Sequence, residues 1–559
     1  MFISVVIMYV TEVHTPSKSG AAYRCVLLRE SYREAGKVKN RTVANLSHCK
    51  AEEIAALRLA LEHKENLAVL GSIEEWVGLQ EGLSLGAVWT VYTVAKRLGM
   101  ETALRRERAG KLALWQVMAR VIDQGSRLSA VRLAQTHAGC DVLGITGGMD
   151  ENDLYENLGW LSEHQAEIEQ RLFRARRKGE KTELFLYDVT SSYWEGMCNA
   201  LGDWGHNRDG KRGKKQVVVG LLCDAEGEPV SVEVFQGNTS DLKTFASQIQ
   251  KVAQRFGCER VTMVGDRGLI KSGQVAQLKE EGFCYITALT KPQMEKLITE
   301  GVVQLSWFDE KVCEVEKEGI RYVLRRNPQR AEDLSLNRQQ KRASVARLLE
   351  GKNTYLAQHP RAKVEVALRT VQAKIVGLKV DGWLKVAAAA RQLQLEEDSQ
   401  TLAEHARLDG CYVIKSDLPQ PLANAQTLHD RYKDLTQVEQ AFRTSKTAHL
   451  EMRPWYVRIE KSTRGHALVV MLAYLIIRHL QQAWSKLNIT VGEGLKQLAT
   501  LCSIQVVVKG KTSCHQIPSP REQSAELLKA ADVHMPKALP HLGARVVTRR
   551  KLTERRTKR

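Results

Sequence analysis

Tyr432, Glu439 and Lys446 stand seven residues apart in the segment Tyr-Lys-Asp-Leu-Thr-Gln-Val-Glu-Gln-Ala-Phe-Arg-Thr-Ser-Lys. On an α-helix seven residues make almost two turns, so a phenol, a carboxylate and an ammonium are expected to form one stripe. Val438 and Phe442 are spaced to bury against a core while that stripe faces a cleft. A carboxylate held among basic groups suits a site that binds a metal and an anionic polymer together. Taken by itself, the same segment also reads as a surface helix with Glu–Arg pairs four residues apart.

Two further acids end apolar runs: Asp188 closes Glu183–Asp188 and is followed by Val-Thr-Ser-Ser, and Asp266 follows Val264-Gly265. Carboxylates at strand ends can converge on neighbouring strands and still reach solvent, although Asp in such places also forms turns and caps helices. With Glu439 beside them, three acids from distant positions could meet around hard divalent cations, Mg²⁺ with Mn²⁺ as a substitute. The chemistry that needs this arrangement is phosphodiester cleavage and transfer, in which two metals ~3.5–4 Å apart serve the attacking and leaving oxygens. Matching positive charge comes from Lys211, Arg212, Lys214 and Lys215 in a Gly-bounded loop, from Arg267 beside the second acid, and from Arg443 and Lys446 after the third. These, with Tyr432, are the candidate DNA contacts. Asp241 and Asp409 read as turn or supporting residues, Asp203 and Asp209 as shapers of the basic loop, and Trp194, Trp204, Trp455 and Tyr456 as packing or stacking aromatics.

The elements that must position these groups follow from periodicity. Strand patterns occur at Glu183–Asp188, Gln216–Cys223, Pro229–Phe235, Arg260–Gly265 and Phe283–Leu289, with helical segments at Leu242–Phe256 and Ser272–Glu281. Three tightly connected strands and then helix-strand-helix-strand imply an antiparallel meander continued by parallel strands, an order similar to that of ribonuclease-H-like domains. The expected fold is therefore α/β: a ribonuclease-H-like catalytic domain of mixed sheet and flanking helices, in two parts (181–289 and 405–482), interrupted by a mixed insertion (290–404). A small basic β-meander (1–50) and an all-α region (51–180) precede it, the latter with a possible helix-turn-helix near Leu98–Leu133. Within the insertion, Val303–Arg326 is β-prone and Ala331–Gln394 reads as helical. A strand at Gly410–Lys415 leads to the Tyr432–Lys446 helix, and residues 483–559 end in a basic tail, Arg545–Arg559, with eight Lys or Arg and one Glu.

Composition narrows the partners. The 559 residues carry 83 Lys and Arg against 64 Asp and Glu, a formal charge of +19. Such an excess favours nucleic acid, because each phosphate neutralised releases condensed counterions. The longest apolar run, Ala467–Ile477, is too short to span a bilayer and no export signal is evident, so no membrane role is expected. Eleven cysteines without a Cys-x-x-Cys pair argue for reduced thiols, and the expected location is the bacterial cytoplasm, associated with the nucleoid.

In order along roughly residues 180–480, the blocks Tyr187-Asp188-Val-Thr-Ser, Gly237-Asn-Thr-Ser-Asp241, Asp266-Arg-Gly268, Asp409-Gly410 and Tyr432–Lys446 resemble the DDE transposases of the insertion-sequence type 4 superfamily, particularly long members with an insertion in the catalytic domain. Tyr432, Glu439 and Lys446 match that superfamily's Tyr-Arg-Glu-Lys motif, with Leu435 where its Arg is expected. The resemblance implies Asp188, Asp266 and Glu439 as metal ligands, and Tyr432 and Lys446 as DNA contacts near the scissile phosphate. It also implies an enzyme that binds the ends of its element, cuts them and joins them to target DNA, and the need to pair two ends makes a homodimer on DNA the expectation. A ribonuclease-H-like nuclease without strand transfer, and an inactive DNA-binding descendant, are the alternatives.

Overall fold

The computed structural model describes residues 7–16, 22–34, 37–63, 77–177, 184–196, 198–258, 261–447, 450, 452, 455–508 and 511–549. The turn expected at Ser17–Gly20 and the basic tail beyond Arg549 lie outside them. The chain divides into two compact units, one of residues 1–83, 502–519 and 536–541, the other of 84–501, 520–535 and 542–559.

In the smaller unit, β1 (Ile7–Pro16), β2 (Ala22–Glu34) and β3 (Lys37–Asn45) form the antiparallel meander, followed by α1 (Ala51–Glu62). The region read as all-α contains a strand, β4 (Val77–Ser84), which pairs in a second sheet with Cys502–Val508 beside Lys511–Gln516. This pairing joins positions some four hundred residues apart in the sequence, beyond the reach of any local pattern.

The larger unit begins with helices, among them α2 (Gly86–Arg97), α3 (Arg108–Ile122), α4 (Arg127–Thr136) and α5 (Glu151–Arg177). α3 is buried from Leu112 through Val121, and in α4 only Gln135 and Thr136 are exposed. A groove-reading helix needs a row of exposed side chains. The Leu98–Leu133 window is therefore core, not a helix-turn-helix surface.

The large sheet is built from β5 (Leu184–Tyr193), β6 (Gln216–Asp224), β7 (Pro229–Gln236), β8 (Thr262–Gly265) and β9 (Cys284–Ala288), with α6 (Asp241–Gln250) and α7 (Ser272–Glu280) in the crossovers. β5–β6 and β6–β7 are antiparallel, whereas β5–β8 and β8–β9 are parallel. Every residue of β6 is buried, as its unbroken apolar run requires of a strand covered on both faces. The hairpin β10 (Cys313–Lys317) and β11 (Ile320–Arg326), expected in a separate insertion, extends this same sheet. After α8 (Pro328–Gln358), α9 (Val364–Gly377) and the hairpin β12 (Leu384–Ala389) and β13 (Gln392–Glu397), the strand β14 (Cys411–Ser416) completes the order β10-β11-β14-β9-β8-β5-β6-β7. The segment read as helical to Gln394 thus ends in a hairpin, and Val345, Leu349, Val371, Ile375, Trp383 and Leu393 give it a small core of its own.

The expected single helix Tyr432–Lys446 is two helices, α10 (Ala425–Lys433) and α11 (Leu435–Lys446), broken at Asp434. Gln437 N–H reaches back to the Asp434 carbonyl at 2.9 Å, a tightened turn that replaces the continuous ladder. α12 (Glu460–Ala483) follows, buried on all sides from Gly465 through Ile477 and packed against α3, α5 and β7. A helix apolar all round must be central. At Gly465 an added Cβ would collide with the Leu158 carbonyl of α5, so glycine sets the closeness of that crossing. Replacing an interior helical Gly by Ala ordinarily stabilises by ~1 kcal/mol. Here Gly465→Ala is expected to destabilise by about 1–3 kcal/mol through overpacking, read by urea or thermal unfolding.

Candidate functional site

β5 is the central strand of the site. The sequence places Asp188 at a strand end, but β5 continues five residues further to Tyr193, so Asp188 lies mid-strand, opposite Leu221 of β6. Asp266 follows the last residue of β8, as expected. The parallel register aligns Tyr187 with Gly265, so the two acids occupy the next step on adjacent strands. Glu439 is exposed on α11, whose Val438, Ala441 and Phe442 are buried. Among the described residues it forms no ion pair with Arg443 four residues on, the pairing that an ordinary surface helix would offer.

The Asp188 carboxyl is pushed up to about 7, chiefly by burial and also by the charges of Asp266 and Glu439, against the opposing Val189 N–H and Arg208. That mutual influence marks the three acids as neighbours. Among the described residues no three His, Cys, Asp or Glu side chains are drawn into a ready-made chelate. Like charges repel without a cation between them, and the Tyr432 hydroxyl donates to Asp266 Oδ1 at 3.2 Å. Burial and the Asp266 charge raise the Tyr432 phenol, which keeps it a proton donor. Three carboxylates with excess negative charge form an all-oxygen donor set suited to a hard divalent cation.

Lys446 departs from its expected role as a DNA contact. Its ammonium donates to Thr190 Oγ1 at 2.7 Å, to the Ser191 carbonyl, and to Asp209 Oδ1 at 2.9 Å. With its side chain only 10% exposed and that of Asp209 2%, this is an internal ion pair that ties α11 to β5. Asp209, expected only to shape the basic loop, also accepts from Tyr193 N–H at 3.0 Å. Sequence reasoning missed Arg208 altogether: its guanidinium donates to the Val189 carbonyl and to Asp241 Oδ2 at 2.7 Å, beside Asp188. Its place one residue before Asp209, in the basic loop, was the available signal.

The remaining candidates separate by exposure. Lys211, Arg212, Lys214 and Lys215 are exposed, Lys211 lying 5.8 Å over the Tyr193 ring and Lys214 3.4 Å from Glu195. Arg267 is exposed, and its N–H donates to Asp266 Oδ1 at 2.7 Å. Arg443 lines a separate cleft of about 550 Å³ between α11 and α12. Asp409 pairs with Arg338 of α8. Trp194 and Trp455 are core, the latter donating to Ser192 Oγ at 2.9 Å, whereas Trp204 and Tyr456 are exposed.

A transposase DDE domain model matches residues 179–476, more than half of the chain. The chain belongs to the DDE transposases. The N-terminal domain of IS1634 family transposases matches residues 11–69, which makes this a transposase of an insertion-sequence family. No match among curated proteins reaches significance. Two solved structures are similar: a piggyBac transposase synaptic complex with hairpin DNA (8% identity, 79% of this chain and 75% of that one, TM-score 0.34) and a Mos1 transposase paired-end complex with the left transposon end (13%, 32% and 58%, TM-score 0.14). No helix among the described residues is long and apolar enough to cross a membrane.

Two outcomes follow for this transposase. Asp188 titrates near 7 when folded and near its ordinary 3.8 when unfolded. Its contribution to stability is therefore full below pH ~4 and lost as pH rises through ~7. In chelator at pH 8, Asp188→Asn should be more stable than the parent by on the order of 2–4 kcal/mol, and equal near pH 4, by thermal unfolding; an unchanged difference across that range would refute the assigned environment. Lys446→Met should cost about 3–5 kcal/mol by stranding buried Asp209, with Asp209→Asn in the same chain recovering part of the loss. The salt dependence of DNA binding should stay unchanged in the Lys446 variant.

Proposed function

We propose that Asp188, Asp266 and Glu439 hold the divalent cations, Mg²⁺ or Mn²⁺, with which this transposase cuts the ends of its insertion sequence and joins them to target DNA. The observation that carries the reading is the register of β5 and β8, with α11 tied across β5: two carboxylates on adjacent parallel strands feel each other and the third acid. The sheet order supports a ribonuclease-H-like catalytic domain, because the meander β7-β6-β5 continues into parallel β8 and β9.

When bound, the cations supply charge neutralisation at the scissile phosphate and activation of water or a 3′-hydroxyl. The residues of the chain do the rest. The Arg208 cation favours the ionised form of Asp188 and is itself held by Asp241. The Tyr432 hydroxyl fixes one oxygen of Asp266 and leaves the other for a ligand. Lys446 holds α11, and with it Glu439, against β5. The exposed Lys211, Arg212, Lys214, Lys215 and Arg267 offer point charges to the phosphates of incoming DNA, and Arg443 lies further along α11. Pairing two element ends calls for a homodimer on DNA, and the working location is the bacterial nucleoid in the cytoplasm.

The test is Mg²⁺-dependent cleavage and strand transfer on DNA carrying the element's own inverted repeats. Glu439→Gln is expected to lower both by at least ~100-fold, more than the loss of an outer-shell partner, while binding of end DNA persists. Joined products at the parental rate in the variant would overturn the assignment of this acid, and cleavage by the parent without joining would overturn strand transfer.

A further inference from the structure

A second cationic site lies among the helices of the larger unit. α3, α4, α5 and α12 surround a cavity of about 230 Å³ walled by Arg120, Arg127, Tyr155, Tyr456 and His466. Both arginines are 6% exposed. Arg127 donates from Nη1 to Gln116 Oε1 at 2.9 Å, and among the described residues no carboxylate pairs with it. Burial, followed by the charge of Arg120, pulls Arg127 down to about 9. Burial and the same two guanidiniums hold His466 well below its ordinary value, so its ring is neutral.

A buried cation without an anion costs several kcal/mol, and a fold that keeps one beside an open cavity has the means to offset it with a ligand. The donors suit an oxyanion: the planar fork of Arg127, and the amino end of the ten-residue α4, where Ser126 caps Ser129 N–H and lines the same cavity. The space is several times the ~30 Å³ share of one water, enough for a tetrahedral group. Its position is also informative. The His466 ring meets Trp455 edge-on, with centroids 5.1 Å apart, and Trp455 is bonded to Ser192 of β5. Ser192 lies four residues beyond Asp188 on that strand. At ~3.3 Å per residue Ser192 is roughly 13 Å from Asp188, and the cavity lies beyond it by the Trp455 and His466 rings.

We propose that the Arg127 cavity binds a phosphate group of the DNA backbone and so anchors the substrate strand at a second point away from the three acids. That the phosphate belongs to DNA rests on the transposase reading; that the cavity takes phosphate does not. The exposed Tyr456 at the rim gives a neighbouring base a ring to lie on.

The experiment uses the full chain. Thermal unfolding is followed against inorganic phosphate at constant ionic strength for the parent, Arg127→Gln and Arg127→Lys, and binding of a labelled inverted-repeat duplex is followed by anisotropy from low to high KCl. A saturable rise in the parental Tm of a few degrees is expected, absent in Arg127→Gln and partly kept in Arg127→Lys. In phosphate-free buffer Arg127→Gln should unfold no earlier than the parent, since it removes a buried cation with which no carboxylate among the described residues pairs. A lower Tm there would mark the arginine as merely structural and overturn the proposal. The logarithmic salt slope for DNA should fall by about one in Arg127→Gln, the signature of one lost phosphate contact. An equal phosphate response in all three proteins would overturn the site, as would none in the parent. A phosphate response lost in Arg127→Gln with an unchanged DNA slope would overturn the assignment to DNA and leave free phosphate as the ligand. If Arg127→Gln does not fold, the charge-retaining Arg127→Lys carries both arms. Because neither readout uses cleavage, failure of the three-acid reading would leave the phosphate arm intact.

Discussion

The ammonium of Lys446 is the tie on which the site depends. Buried beside Asp209 and bonded to Thr190 and the Ser191 carbonyl, it fixes the carboxyl end of α11 against the middle of β5. Glu439 is two turns earlier on that helix, so its distance from Asp188 follows from this anchor and from the buried apolar face Val438, Ala441 and Phe442. A buried ion pair of this sort contributes little net stability over an apolar pair of the same shape. Its value here is geometric, because few other arrangements satisfy both charges.

The second constraint is the mutual repulsion of the acids. Asp188 carries the cost of burial and of two neighbouring carboxylates, partly relieved by Arg208. Tyr432 reaches Asp266 from α10 rather than from the helix that bears Glu439, and the break at Asp434 lets the two approach the site from separate directions. A continuous helix would have held the phenol and the carboxylate in one row. The break lets the phenol bond to one acid while the next helix brings up another.

The sheet carries this arrangement across a long interruption. β10 and β11 come from the interrupting segment, yet β11 pairs with β14, and β14 with β9, so the interruption is stitched into the structure that bears Asp188 and Asp266. Arg321 closes the junction by donating to the carbonyls of Leu418 and Ala423 at 2.8 Å each. The helical remainder, with its own apolar core, hangs from this edge.

The sequence by itself determined the alternation of strands and helices from 184 to 288 and the burial of α12, and it singled out the three acids as candidates, because each is written in local spacing: an apolar run, a carboxylate beside one, a hydroxyl, an acid and a base at helical intervals. It also carried the family, through ordered motif blocks. Tertiary structure alone decided that Asp188 lies mid-strand, that Lys446 turns inward to Asp209, that Arg208 stands beside the first acid, and that β4 pairs with a strand from the far end of the chain. These are questions of partner rather than of propensity. Whether a lysine faces solvent or a buried aspartate, and which strand completes a ladder, is settled by groups hundreds of residues away, and no local pattern contains that information.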